Sequence, residues 1–129
     1  MMISKSMDGN YLTEISNGEY KIYGDTADGG QSLHPHEFIE SALAACMNMT
    51  TRIVLDRMSL KYDGVEVKVS LERPSNDETV IKYKIDIKGN IDETVKKQII
   101  AKVFNCPVRK ILTSNIQIVE SGTDVDTKL

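Results

Sequence analysis

The segment PHEFIESALAAC, residues 35–46, begins the stretch of sequence that decides this fold. Apolar side chains recur at helical spacing through it and beyond it, which predicts one helix over residues 36–58. Pro35 suits its first turn, where a backbone N–H has no acceptor within the helix. The apolar stripe is expected to contain Ile39, Leu43, Cys46 and Ile53, with Phe38, Ala42, Ala45 and Met49 beside them. We expect this helix to be central and largely buried.

Short strands precede this helix. Extended runs are expected at Met2–Met7, Tyr11–Ile15 and Tyr20–Tyr23. Asn17-Gly18 lies between the last two runs and predicts a hairpin with a two-residue loop. Residues 24–32, rich in glycine and aspartate, are expected to form a loop.

Two longer strands follow the helix. Valine and leucine alternate with charged or small polar residues over 65–72, and the same pattern returns over 81–88. Alternation of this length predicts an antiparallel hairpin with one buried face and a turn at Pro74–Asp77.

The remaining elements are a second and a third helix. Asn90 and Glu93 could form a capping box for a helix over residues 91–104, with Val95, Ile99 and Val103 on its inward face and Phe104 at its end. Pro107 can open a short helix that ends at Leu112 and has Cys106 as its N-cap.

A last strand is expected at Ile116–Val119, followed by a frayed tail over residues 121–129. These elements predict an α+β fold in one domain, residues 1–129, with helices packed on antiparallel sheet.

Composition restricts the function. The 129 residues carry a net charge of −3, whereas nucleic-acid binding usually needs a basic face. We find no apolar run close to the roughly 20 residues that span a bilayer, and no signal peptide. We therefore expect a cytoplasmic protein that binds neither membrane nor nucleic acid. In that compartment, two cysteines are more often working thiols or buried residues than a permanent disulfide.

The two cysteines differ in their local surroundings. As an N-cap, Cys106 would feel the positive end of a helix dipole, and Arg109 and Lys110 follow within one turn. These neighbours favour a thiolate, although Cys106 could equally be a small capping residue. Cys46 lies within the long helix, far from either end, and burial there would hold it as an inert thiol.

Metal binding is an alternative use of the same residues. His34, His36 and Cys46 are the types that bind zinc, but about 15 Å of helix separates His36 from Cys46. One ion cannot join them within one chain, so such a site would need a dimer interface. The simpler interpretation is that both histidines are helix-start residues.

The two cysteine segments together resemble the OsmC/Ohr family. PHEFIESALAAC resembles its first signature, in which a proline begins a long helix and a cysteine follows eleven residues later. NCPV, residues 105–108, resembles its second signature. The order of elements is similar as well, so the resemblance covers nearly the whole chain.

The resemblance implies an OsmC-like fold and an intertwined homodimer with thiol peroxidase activity toward organic hydroperoxides. Cys46 would be the peroxidatic residue and Cys106 the resolving residue, and an external dithiol would restore both. No metal or bound organic cofactor is implied. Phe38, Leu43 and Met49 would line the substrate pocket.

Two activating residues of the family are not in their usual places. Active members have an arginine before the long helix and a glutamate directly after the proline. Here no arginine precedes Arg52, and His36 replaces the glutamate, with Glu37 one residue later. His36, Glu37 and His34 are candidate substitutes for activating Cys46, with three more distant candidates: Lys21, Arg52 and Arg57.

Two other functions remain open at this point. The chain could be a non-catalytic OsmC-like dimer that binds a small apolar or electrophilic ligand or senses redox state. It could also be a structural dimer whose cysteines only pack.

Overall fold

A computed structural model of the chain describes residues 1–122 and confirms the α+β fold. Its elements run in the order β1 (Ile3–Ser6), β2 (Thr13–Ser16), β3 (Lys21–Gly24), α1 (Pro35–Arg57), β4 (Gly64–Ser75), β5 (Glu78–Lys88), α2 (Glu93–Val103) and α3 (Pro107–Leu112). The chain divides into two compact units. One contains residues 1–35 and the segment that begins at Asn115, and the other contains residues 36–114.

The first unit contains an antiparallel sheet in the order β1-β2-β3. The predicted hairpin between β2 and β3 is present, but its loop has four residues, Asn17–Tyr20, because Ser16 pairs with Lys21. The Asn17 side chain closes this loop: its Oδ1 accepts the N–H groups of Glu19 at 2.9 Å and Tyr20 at 2.7 Å. Asn-Gly therefore predicts the position of the turn correctly. The loop is longer than two residues because the Asn17 side chain bonds to backbone N–H groups, as asparagine often does in turns.

The second unit contains the predicted hairpin of β4 and β5. Val65 pairs with Ile87 and Leu71 with Ile81, and one face of the hairpin carries the buried Ile85 and Ile87. The turn is shorter than expected, because β4 continues through Pro74 to Ser75. The ladder is irregular between Glu72 and Ser75, where a proline can be accommodated without a ladder N–H.

Helix α1 packs on this unit with a different face from the expected one. Its buried residues are Leu43, Met47, Thr51 and Leu55, a stripe at intervals of four. The Thr51 hydroxyl, although buried, donates to the Met47 carbonyl at 2.7 Å. Of the residues expected inside, Leu43 is buried and Cys46 is half-buried, whereas three large ones are exposed: Ile39 (39%), Met49 (50%) and Ile53 (49%).

Helix α2 begins at Glu93, and the expected capping box of Asn90 and Glu93 is wrong. The N-cap is Asp92, whose side chain makes no capping hydrogen bond. A tight turn takes the preceding residues out of the helix, since Gly89 has a φ of 139° and its carbonyl accepts the Ile91 N–H at 3.0 Å. The buried residues Ile99 and Val103 confirm the inward face.

The C-terminal part contains one confirmed element and one absent one. Helix α3 has the predicted bounds, with Cys106 as its N-cap. The predicted strand at Ile116–Val119 is wrong, since those residues have no regular secondary structure and Ile118 is 95% exposed. β-branched residues favour a strand, but a segment forms one only when its backbone pairs with another strand. Of the predicted tail, residues 123–129 lie outside the described residues.

Among residues 1–122, α1 is the one helix long and apolar enough to cross a membrane, judged by length and composition alone. The expectation of no such stretch is therefore corrected. The core helix of a soluble protein passes the same test, and α1 packs one face on the core through Leu43, Met47 and Leu55. The helix also has charged residues within it, Glu40 and Arg52.

Candidate functional site

Cys46 and Cys106 lie together in the second unit. Cys106 is 1% exposed and belongs to the hydrophobic core, and the half-buried Cys46 packs against the same cluster. The two thiols are close enough for Cys46 to influence the ionisation of Cys106. The fold thus brings together two side chains whose separation in sequence left their contact undetermined.

Burial decides the ionisation of Cys106. Removal from water raises the pKa of its thiol above the ordinary value, and the neighbouring Cys46 raises it further. The backbone N–H groups of Arg109 and Val108, at the start of α3, act in the opposite direction. The helix N-terminus therefore lowers the pKa, as expected, but burial raises it by more, and of the two interpretations that the sequence left open this direction favours the buried capping residue over the thiolate.

The three more distant candidates for activating Cys46 are Lys21, Arg52 and Arg57. Lys21 is in the first unit, where its Nζ is 3.6 Å from Glu14 Oε2. Arg52 donates from Nε to Asn48 Oδ1 at 2.9 Å, on an exposed part of α1, and Arg57 is exposed in the last turn.

The other candidate activators lie at the start of α1. His34 precedes the helix, and His36 and Glu37 are in its first turn. Each of the three makes an interaction of its own in the structure. No group of three histidine, cysteine or acidic side chains suited to a metal ion occurs within the described residues, 1–122.

A cavity of about 540 Å³ opens between α1, the β4–β5 hairpin and α3. Its lining is mainly apolar and includes three basic residues. The lining residues are His36, Ile39, Leu43, Met47, Leu71, Arg73, Thr79, Ile81, Tyr83, Phe104, Arg109, Leu112 and Thr113. We call this space the α1–hairpin cavity.

Of the predicted pocket residues, Leu43 lines the α1–hairpin cavity, whereas Phe38 and Met49 are not among its lining residues. Met49 instead lies on the exposed side of α1. Sequence reasoning missed Arg73. The alternation of β4 could have found it, because Arg73 follows Leu71 by two residues and shares its face.

A comparison with known protein families shows to which family this chain belongs. The family model for OsmC-like proteins matches residues 28–121, which include both cysteines. The chain belongs to the OsmC-like family. No curated protein matches this OsmC-like chain in sequence.

Solved structures agree with the OsmC-like fold. An OsmC-like protein from Mycoplasma pneumoniae has a TM-score of 0.76 at 18% identity, covering 87% of this chain and 85% of its own. The organic hydroperoxide resistance protein OsmC from Legionella pneumophila has a TM-score of 0.63 at 20% identity, covering 89% and 90%. OhrB of Bacillus subtilis, also an organic hydroperoxide resistance protein, has a TM-score of 0.66 at 15% identity, with the same coverage. At these identities the likeness concerns the fold.

The raised pKa of Cys106 has a consequence for the stability of this OsmC-like chain. An unfolded thiol titrates near a pKa of about 8.5, so the folded state keeps its proton to higher pH than the unfolded state does. The resulting stabilisation is complete below about pH 8 and is lost as the pH rises through the folded pKa.

We therefore expect the free energy of unfolding of the reduced protein to fall as the pH rises above about 8. Urea unfolding across that range measures the fall, and Cys106→Ser should show a smaller one. Equal slopes in the two proteins would contradict this assignment.

Proposed function

We propose that this protein is a thiol-dependent peroxidase that reduces organic hydroperoxides. The observation that carries the proposal is the contact between Cys46 and Cys106 in one compact unit. Two thiols held together can store one oxidising equivalent as a sulfenic acid and then pass it into a disulfide.

The chemistry balances with one external reductant. The Cys46 thiol gives up its proton, and the resulting thiolate attacks the outer peroxide oxygen. The O–O bond breaks, Cys46 becomes a sulfenic acid, and the alkoxide that leaves takes up one proton and departs as an alcohol. The Cys106 sulfur then attacks the Cys46 sulfur and forms a disulfide, with release of water. A small dithiol reduces that disulfide by thiol–disulfide exchange and is itself oxidised.

The exposures of the two thiols support these roles. Cys46 is half-buried and lies at the border between the packed and exposed sides of α1, where a peroxide can approach it. Cys106 is almost completely buried, and burial keeps its pKa raised, so that it stays protonated until the disulfide-forming step. We assign Phe38, Leu43 and Met49 as apolar contacts for the organic part of the substrate.

A homodimer is part of this proposal. The exposed side of α1 carries an apolar row at helical spacing, made of Ile39, Ala42, Ala45, Met49 and Ile53. A second copy could cover this row and bring one of its residues, His36, Glu37 or His34, toward the Cys46 of the first copy. Within one chain, His36 lies too far from Cys46 along the helix to reach it. We further propose one functional domain, residues 1–129, in the cytoplasm, with no bound cofactor.

The test uses the reduced full-length protein and cumene hydroperoxide. With one equivalent of peroxide, mass spectrometry should find a disulfide between the peptides of Cys46 and Cys106. With excess dithiothreitol, the protein should consume peroxide over many cycles. A protein whose thiols remain reduced, and which consumes no more peroxide than dithiothreitol alone, would contradict the peroxidase proposal.

One observation favours a second candidate, a non-catalytic OsmC-like dimer that binds a small ligand or senses redox state. No arginine precedes Arg52, and Arg52 contacts Asn48 on an exposed part of α1. The same experiment separates the two functions. A redox sensor would form the disulfide once but sustain no turnover with dithiothreitol, and a purely structural dimer would form no disulfide.

A further inference from the structure

We propose that the α1–hairpin cavity is a binding site for a small amphipathic anion, a molecule with one carboxylate-like head group and a short apolar tail. Neither cysteine is among the lining residues, although Leu43, which is assigned above to the peroxide substrate, is one of them. The proposal does not depend on the peroxidase function.

The inner wall of the cavity suits an apolar tail. Leu43 is 3% exposed and Met47 is fully buried, and both residues are in the part of the lining that α1 provides. Ile81 and Tyr83 line it from β5, and Leu112 lines it from α3. A volume of about 540 Å³ lies within the usual range for small-molecule sites, which are mostly apolar with a few placed polar groups.

The lining of the cavity contains basic side-chain types and no acidic ones. His36, Arg73 and Arg109 line it, and no aspartate or glutamate does, although the whole chain has a net charge of −3. Glu40 is not a lining residue, and its Oε2 accepts the Leu71 N–H at 2.9 Å. A concave site whose charged groups are all basic types, in an otherwise acidic chain, is complementary to an anion.

The two arginines of the lining are the candidates that would hold the head group. Arg109 is half-buried, and its guanidinium carbon lies 3.3 Å from the centre of the Phe104 ring, which restrains the side chain. Arg73 is exposed and donates to the Asn76 carbonyl. Within residues 1–122, neither guanidinium has an ion-pair partner. A planar guanidinium can give two parallel hydrogen bonds to a carboxylate, and this geometry selects carboxylates over a point charge.

Titration of the full-length reduced protein with decanoate, followed by calorimetry, tests this site. Decanoate should bind more tightly than decanol, which has the tail without the charge, and more tightly than acetate, which has the charge without the tail. Arg109→Gln should weaken decanoate binding about tenfold, the usual effect of losing one charge-assisted hydrogen bond, and leave decanol binding unchanged. Lys110→Gln is the matched control, because it removes the same charge from the exposed neighbouring residue.

Arg109→Gln also removes the contact with Phe104, so Arg73→Gln serves as a second variant on a different element. It too should weaken decanoate binding, and thermal unfolding of both variants checks that they fold. Absence of decanoate binding at millimolar concentration, or equal affinities of Arg109→Gln, Arg73→Gln and Lys110→Gln, would overturn the proposal. Cys46→Ser should bind decanoate as the wild type does, so this outcome is independent of peroxide turnover.

Discussion

Replacing Cys46 with serine is expected to lower the rate of hydroperoxide consumption by at least about a thousandfold. A serine oxygen cannot accept the peroxide oxygen to form a sulfenic acid, so the first step of the proposed cycle is lost. The change removes no large group from the core, since Cys46 is half-buried at the border of the packed face. Peroxide remaining with time, in the presence of dithiothreitol, measures the effect.

Cys106→Ser is the matched control for this prediction. Serine is a good N-cap residue, so α3 should still form. This variant should still react with one equivalent of peroxide at Cys46 and keep a sulfenic acid that a dimedone probe captures, but it cannot form the internal disulfide. If Cys46→Ser consumes peroxide as fast as the wild type, Cys46 is not the attacking thiol.

The second large effect is expected at Ile53. If the exposed apolar row of α1 is covered by a second copy, Ile53→Asp places an unpaired carboxylate in an apolar interface, which costs several kcal/mol. A two-fold interface contains the change twice. We therefore expect the dimer dissociation constant to rise by about a thousandfold or more, and light scattering at micromolar concentration should then find a monomer.

Met58→Asp controls for the added charge. Met58 is 38% exposed, follows the last residue of α1 and lies off the apolar row, so this variant should remain dimeric. A wild-type protein that is monomeric at micromolar concentration, or an Ile53→Asp variant that stays dimeric, would count against the homodimer.

The choice of face on α1 could not be made from the sequence. Apolar residues surround this helix, so the stripe with Ile39, Met49 and Ile53 and the stripe with Met47 and Leu55 fit helical spacing equally well. Burial selects the second stripe because it faces the β4–β5 hairpin. The hydrophobic pattern does not identify Thr51 as buried, because threonine is a polar residue type. Its hydroxyl donates a hydrogen bond within its own helix and so needs no water.

The charges and dipoles near Cys106 in the sequence account for only part of the change in its pKa. The sequence correctly predicts an N-cap, from Pro107 at the first helical position. The sequence does not show that this N-cap is buried, because the burial depends on the packing of Ile99, Val103 and α1 in the same core. Desolvation therefore determines the direction of its pKa, and this burial depends on residues that are distant in the sequence.

The hydrogen bonds that α1 makes to β4 determine where the hairpin can grow. Glu40 accepts the Leu71 N–H, and Asn48 Nδ2 donates to the Val65 carbonyl at 2.9 Å. Residues 65 and 71 are an even number apart on β4, so these backbone groups lie on the same edge, away from β5. At these two positions the backbone groups of that edge are already bonded to side chains of α1, which disfavours pairing with a further strand there. Sheet extension, including unwanted edge-to-edge association, is directed to the other edge, along β5.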